Sequence, residues 1–211
     1  MVSIFFRIFA KKVMKKERYN EFLNNADVYS KINRIKNDAT ILHDVTCNQK
    51  YGDNEPYSFH LNMVADFAMK YGYFVCYTEE HIIPIIFGAY FHDAIEDARV
   101  TYNDVMHIAK KYMDDNQALM ATEIVYALTD EKGRNRAERG SDKHYEDIRN
   151  TLYAPFVKWC DRYANVMYSL KVNSRMAKTY EKEMMTFIEK LGGSKYLNDE
   201  LCSMLINLVK N

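Results

Sequence analysis

Glycine and proline are scarce in this chain, 7 and 3 among 211 residues. Few runs alternate polar and apolar side chains, so a strand-rich fold with many turns is disfavoured. No Gly-rich phosphate loop is present, so the chain lacks the backbone cradle by which P-loop proteins hold nucleotides. Cys47, Cys76, Cys160 and Cys202 are scattered with no C-x-x-C pair. That argues against a zinc ribbon or a disulfide framework and suits a reducing, cytoplasmic setting. Charge is balanced, Lys+Arg 29 against Asp+Glu 29, leaving no broad pull toward nucleic acid or an anionic membrane, although a local basic patch could still bind a small anion. No apolar run is long enough to span a bilayer. The opening Met1–Ala10 is apolar but short, is broken by Arg7, and precedes its basic residues, the reverse of a signal peptide. It is read as an amphipathic helix docking on the core, with membrane-surface attachment the lesser alternative.

What is present is helical spacing. Tyr57 to Tyr71 reads as a helix, with Ser58 as N-cap and Gly72 past its end. Pro84 suits the first turn of the next helix, which carries His92 and Glu96. Thr101 with Asp104 opens another, Gln117 to Leu128 is a further one, and Pro155 opens a long helix through Lys171. Two helices close the chain around Gly192-Gly193. Thr129 to Asp142 is charged without apolar periodicity and reads as an exposed loop. The length suits one domain with a substantial core, and the fold class is all-α, a single multi-helix bundle.

Within the apolar run Pro84–Ala94 the chain places His92-Asp93, and one turn on Glu96-Asp97. Burying carboxylates costs several kcal/mol per ion unless something compensates, and a divalent cation does so economically. Residues four apart share a helix face, so Glu96 lies over His92 and Asp97 over Asp93. His60 is a candidate third ligand and Asp161 a fourth, with Asn165 one turn beyond it. Two imidazoles and two carboxylates form a mixed N/O shell that suits Mn(II), Fe(II) or Zn(II) better than Ca(II). The place of Glu96 and Asp97 beside Phe91 and Ile95 favours a sheltered acid pair over a solvated face. His43, His81, His107 and His144 have no second feature in their favour and are read as structural or surface residues.

These residues carry a resemblance. His60, His92-Asp93 and Asp161, in that order on helices, resemble the metal ligands of HD-domain phosphohydrolases. The flanks narrow the likeness to the hydrolase domain of RelA/SpoT-type alarmone enzymes and their small single-domain relatives. The matching segments are Lys50 with Pro56-Tyr57 and His60; His92-Asp-Ala-Ile-Glu-Asp97; Leu128-Thr-Asp-Glu-Lys132; and Lys158-Trp-Cys-Asp161-Arg-Tyr-Ala-Asn165. Three positions depart from the family pattern: Leu61 stands where Pro is usual, Cys160 where a small Ala is, and Gln49 where a second basic residue is expected. The likeness implies residues 39–211 as the HD hydrolase domain with its C-terminal helices, and residues 1–38 as a helical extension.

The resemblance further implies metal-dependent hydrolysis of guanosine tetra- or pentaphosphate, (p)ppGpp, with release of the 3′-pyrophosphate, a reaction of the stringent response. Manganese is the cofactor it favours. His60, His92, Asp93 and Asp161 would be its ligands. Glu96 and Asp97 would position and deprotonate the attacking water or shuttle protons to the leaving oxygen. Lys50 and Lys132 would hold phosphates as point charges, Asn165 would orient the substrate, and Tyr57 would wall the nucleotide pocket. The partner is a small phosphorylated nucleotide, with no nucleic acid and no membrane, and an oligomer stays open. Two other readings survive. One is an HD hydrolase of another nucleotide: an adenine alarmone, a 3′-phosphorylated cofactor such as NADPH, or a nucleoside monophosphate. The other is a non-catalytic nucleotide-binding module.

Overall fold

The structure is a computed structural model that describes residues 12–130, 138 and 140–209. Its described residues form an all-α bundle with one small hairpin. Helices α1 (Lys16–Leu23) and α2 (Ala26–Thr40) lead into a π-helical turn over Ile41–Thr46. Strands β1 (Lys50–Tyr51) and β2 (Glu55–Pro56) pair antiparallel, with Lys50 opposite Pro56. Then follow α3 (Tyr57–Tyr71), α4 (Ile82–Phe91), α5 (Ala94–Asp97), α6 (Tyr102–Ala109) and α7 (Asp115–Leu128). The chain closes with α8 (Asp142–Asn150), α9 (Ala154–Lys171), α10 (Arg175–Lys190) and α11 (Asp199–Leu208).

Helix α4 is the axis of the core. Every one of its residues is buried, as expected of a helix apolar all round, and α2, α3, α7 and α9 pack around it. Gly88 sets its approach to α7: a Cβ there would stand 2.7 Å from Ile124 Cγ2, closer than packed carbons tolerate. The helix starts are capped locally. Asn25 accepts from the backbone N–H groups of Asp27 and Val28. Thr101 and Asp104 form the expected capping box, and Asp114 with Gln117 forms a second, each satisfying otherwise orphaned donors.

Two expectations differ from the structure, the N-cap of α3 and the reach of the helix through Pro84. Pro56 takes the N-cap position of α3, and the N–H of Ser58 is instead accepted by Asp44 Oδ1 at 2.9 Å. As expected, α3 spans Tyr57–Tyr71 with Gly72 just past its end, where a φ of −60° leads the chain into a 3-10 turn over Gly72–Phe74. The helix through Pro84 ends at Phe91: Asp93 sits at φ −100°, ψ 4°, and a separate four-residue turn, α5, carries Glu96 and Asp97. Helix α8 was not legible as a helix, because only His144, Tyr145 and Ile148 face inward from an otherwise charged segment capped by Ser141. Of the expected loop, residues 131–137 and 139 lie outside the described residues, as does the opening Met1–Ala10.

The C-terminal helices brace α9. Trp159, fully buried, donates its indole N–H to Leu201 O of α11 at 2.9 Å. The Arg162 guanidinium lies over the rings of Tyr180 and Phe187 of α10, at 4.9 and 4.1 Å from their centroids, and stacking of this kind adds to packing. Among the described residues, no helix is long and apolar enough to cross a membrane.

Candidate metal centre

Three elements bring four side chains to one point. His60 projects from the first turn of α3, His92 and Asp93 stand where α4 breaks off, and Asp161 lies in the middle of α9. The two imidazole Nε2 atoms are 3.2 Å apart. Asp93 Oδ2 lies 2.9 Å from His92 Nε2 and 3.8 Å from His60 Nε2. Asp161 Oδ1 lies 3.3 Å from His60 Nε2 and 3.8 Å from His92 Nε2. Both imidazoles are buried, and the two carboxylates retain only 21% and 15% exposure. The break after Phe91 has a physical reason at Asp93: its backbone leaves helical dihedrals as its carboxylate turns toward both rings.

The donor set fits a divalent cation. His60, His92 and Asp93 offer ligand atoms close enough for one ion to meet them all, and Asp161 completes a mixed N/O set of the kind Mn, Fe and Zn accept. The Nδ1–H of His92 donates to Ala89 O at 2.9 Å, which fixes the ring and directs Nε2 toward the centre, where it would give its lone pair to a bound cation. His60 is held differently. Its Nδ1 is buried without a hydrogen-bond partner among the described residues, and its ring is oriented by Tyr51, stacked at 4.7 Å and 17°.

Electrostatics point the same way. Burial pushes the His92 imidazole toward neutrality, but Asp93 and then Asp161 outweigh it and hold its pKa up at about 9. Burial pushes both carboxylates up; for Asp93 the His92 ring outweighs it, and for Asp161 the His60 hydrogen bond and the Lys158 ammonium do, so each ends well below the usual carboxylate range. This is a pocket built to stabilise positive charge.

A second set of side chains supports these four. Tyr57 OH stands 2.5 Å from Asp93 Oδ2 and 2.8 Å from Asp97 Oδ2. Asn165 donates through Nδ2 to Asp161 Oδ1 and accepts from Tyr51 OH at 2.8 Å. Lys158 Nζ lies 3.6 Å from Asp161 Oδ2. Partners of this kind orient ligands and tune their basicity.

The remaining candidate residues are dispersed. Contrary to the expectation of a sheltered acid pair, Glu96 and Asp97 are exposed, because the turn of α5 rotates them to the rim of the centre. Glu96 Oε2 accepts from the backbone N–H of Asp130 at 3.2 Å, and Asp97 Oδ2 accepts from Gln49 Nε2 at 2.9 Å. Partial desolvation at the rim of the site, then the Asp130 carboxylate, raises the Glu96 pKa above its ordinary value. Lys50 is exposed on β1, one residue from Tyr51, and Lys132 lies outside the described residues. Tyr57 turns its hydroxyl to the acids and its ring to His43, stacked at 5.0 Å.

Sequence reading missed Tyr51 and His43 as parts of this site and noted Gln49 only as a departure from the family pattern. No spacing rule links a two-residue strand to a helix more than a hundred residues away, and His43 lacked any flanking motif. Beside the centre, a cavity of about 600 Å³ is lined by Lys158, Asp161, Arg162, Asn165, Tyr180 and Glu183, among others.

No family model matches the chain, and no curated protein matches it. Among solved structures it is similar to that of a metazoan ortholog of SpoT, described as hydrolysing ppGpp and playing a role in starvation responses. The TM-score is 0.61 at 19% identity, over 86% of this chain and 94% of that one. The class defined by fold and site is therefore an all-α bundle with a candidate His/Asp metal centre. In particular, the chain shares the fold of that SpoT ortholog nearly throughout its length.

Proposed function

We propose that this chain is a metal-dependent phosphohydrolase that removes the 3′-pyrophosphate of (p)ppGpp. The observation that carries the proposal is the convergence of His60, His92, Asp93 and Asp161, with all four nitrogen–oxygen separations between 2.9 and 3.8 Å. The fold likeness to a protein described as a ppGpp hydrolase supports the choice of substrate. These four residues would hold the cation, Mn(II) before Fe(II) or Zn(II). When bound, it supplies Lewis-acid chemistry at a phosphoryl group and makes water a competent nucleophile at neutral pH.

The chain's own residues do the rest. Glu96 takes a proton from the attacking water; its raised pKa brings it nearer the working pH, where a general base is most effective. Asp97 positions that water, and the proton that Glu96 takes up passes to the leaving oxygen. Tyr57 holds Asp93 and Asp97 at a fixed separation. Asn165, tied between Tyr51 and Asp161, orients the substrate beside the cavity. Lys50 and Lys132 meet phosphate oxygens as point charges.

One observation favours a second reading, a different nucleotide substrate such as an adenine alarmone, an NADPH-type 3′-phosphate or a nucleoside monophosphate. Where a second cation is expected beside Lys50, the neutral amide of Gln49 is committed to Asp97, which removes one phosphate-holding charge. The proposal also includes a hydrolase domain over 39–211 with 1–38 as an extension. Ile32 and Ile35, before that boundary, are buried along with Ala39 beyond it. A cytoplasmic setting is supported by cysteines that all stand free.

The test is a panel of phosphorylated nucleotides incubated with manganese-loaded protein, with products identified by mass. Pyrophosphate released from guanosine tetraphosphate is the expected result. Cleavage of another nucleotide instead, releasing pyrophosphate from an adenine alarmone or orthophosphate from an NADPH-type 3′-phosphate or a nucleoside monophosphate, selects the second reading, and silence across the panel leaves a non-catalytic nucleotide-binding module and overturns both.

A further inference from the structure

A buried histidine outside the metal centre reaches the acid pair through one intermediary. His43 lies on the π-helical turn and is fully buried. Its Nδ1 is 2.8 Å from Gln49 Oε1, and its carbonyl accepts the Gln49 backbone N–H at 2.9 Å, so Gln49 is gripped at both ends. The other end of the Gln49 amide, Nε2, donates to Asp97 Oδ2 at 2.9 Å. His43 also stacks on Tyr57 at 12° between planes, and Tyr57 OH reaches the same Asp97 oxygen at 2.8 Å. A ring of contacts thus runs from His43 through Gln49 to Asp97 and back through Tyr57.

The chemistry fixes the sense of each bond. An amide oxygen has no hydrogen to give, so His43 Nδ1 must carry the proton and donate. Were the Gln49 amide reversed, its oxygen would face the Asp97 carboxylate, two acceptors in contact. Among the described residues, His43 Nε2 is then left as a buried lone pair with no partner, a desolvation cost that an apolar side chain at this position would not incur. The turn that carries His43 is itself a π-helix, a rare geometry often found at functional sites. It is tied to the start of α3 by Asp44, which accepts from Ser58 N at 2.9 Å.

We propose that His43 and Gln49 form a positioning arm that holds the exposed carboxylate of Asp97 over the metal centre. Asp97 rides on a four-residue turn too short to order it alone, and the arm anchors it to the core. His43 is a positioning residue, acting through Gln49 and touching no reacting atom. This rests on the proposed role of Asp97 in hydrolysis.

The test uses the full chain, manganese-loaded, with the nucleotide that the panel identifies as substrate. His43→Phe keeps the stack on Tyr57 and removes the donor. It should lower kcat about tenfold or more, in keeping with the sensitivity of catalysis to small misplacements, while KM and manganese affinity stay within about twofold. His43→Asn, whose amide N–H stands where Nδ1–H stood, should recover most of the loss. Gln49→Met should lower kcat by a similar factor, and the double variant His43→Phe/Gln49→Met should be no worse than either single one, since both break one arm. Unchanged kcat in His43→Phe, or fully additive losses in the double variant, overturns the arm. Should the panel be silent, the function is wrong but the arm is still decided by a crystal structure of His43→Phe. Displacement of the Asp97 carboxylate by about 1 Å or more sustains it, and an unmoved Gln49–Asp97 contact overturns it.

Discussion

The cation-holding groups and the acid pair are neighbours in sequence and opposites in setting. His60, His92, Asp93 and Asp161 hang from the core-facing sides of α3, α4 and α9, where packing fixes their rotamers. Glu96 and Asp97 begin three residues after Asp93, beyond a break in the helix, on a turn of four residues, and both are exposed. The first set is rigid because the core is; the second is held, among the described residues, by side-chain and backbone contacts from Gln49, Tyr57 and Asp130. A site divided in this way separates binding the cation from moving the proton, and substitutions in the two regions should therefore fail differently.

The largest effect should come from breaking the rigid set. His92→Ala or Asp161→Ala should abolish both manganese binding and turnover, exceeding the roughly 10–100-fold that loss of an outer partner costs. Wild-type protein at a manganese concentration a hundred times its Kd should gain about 2.7 kcal/mol of stability, and these variants should gain none; thermal melts with and without manganese measure both. A His92→Ala protein stabilised by manganese as fully as the wild type would remove His92 from the ligand set.

Next in size is Glu96→Gln, which should keep manganese affinity and lower kcat by about two orders of magnitude. The base must be ionised, and its pKa is raised by partial desolvation and by Asp130. The acid limb of the wild-type kcat profile should therefore fall at a pH above the ordinary glutamate range and be absent in the variant. Tyr57→Phe touches both regions at once. It should weaken manganese about tenfold as an outer partner and also lower kcat, the mixed signature that neither region alone would give; calorimetry and steady-state rates separate the two. Smallest is Lys50→Ala, exposed and away from the four ligands, which should raise KM a few-fold at unchanged kcat.

Much of this was readable from residue pattern. The capping box at Thr101, the wholly apolar α4 and the glycine break near Gly192 follow from local rules, whereas the box at Asp114, which starts α7 before Gln117, went unread. The polar cluster His92-Asp93 announced itself by its apolar surroundings. Other features were hidden. The break at Asp93 comes from its carboxylate turning to rings on another element as well as its own, and no helical periodicity encodes that. Helix α8 has too few inward residues to signal itself. Tyr51 and His43 sit in segments with little periodicity, and their roles exist only through contacts with Asn165, His60, Gln49 and Tyr57.

From residue order alone came the helical class and the four side chains that would grip an ion, because periodicity and buried charge are local properties, legible one segment at a time. Only the folded chain decided that those four meet within about 4 Å, that the acids stand at the rim rather than in the core, and that a π-turn histidine stands behind them. Such distances depend on how separate helices pack, and packing is a property of the whole core.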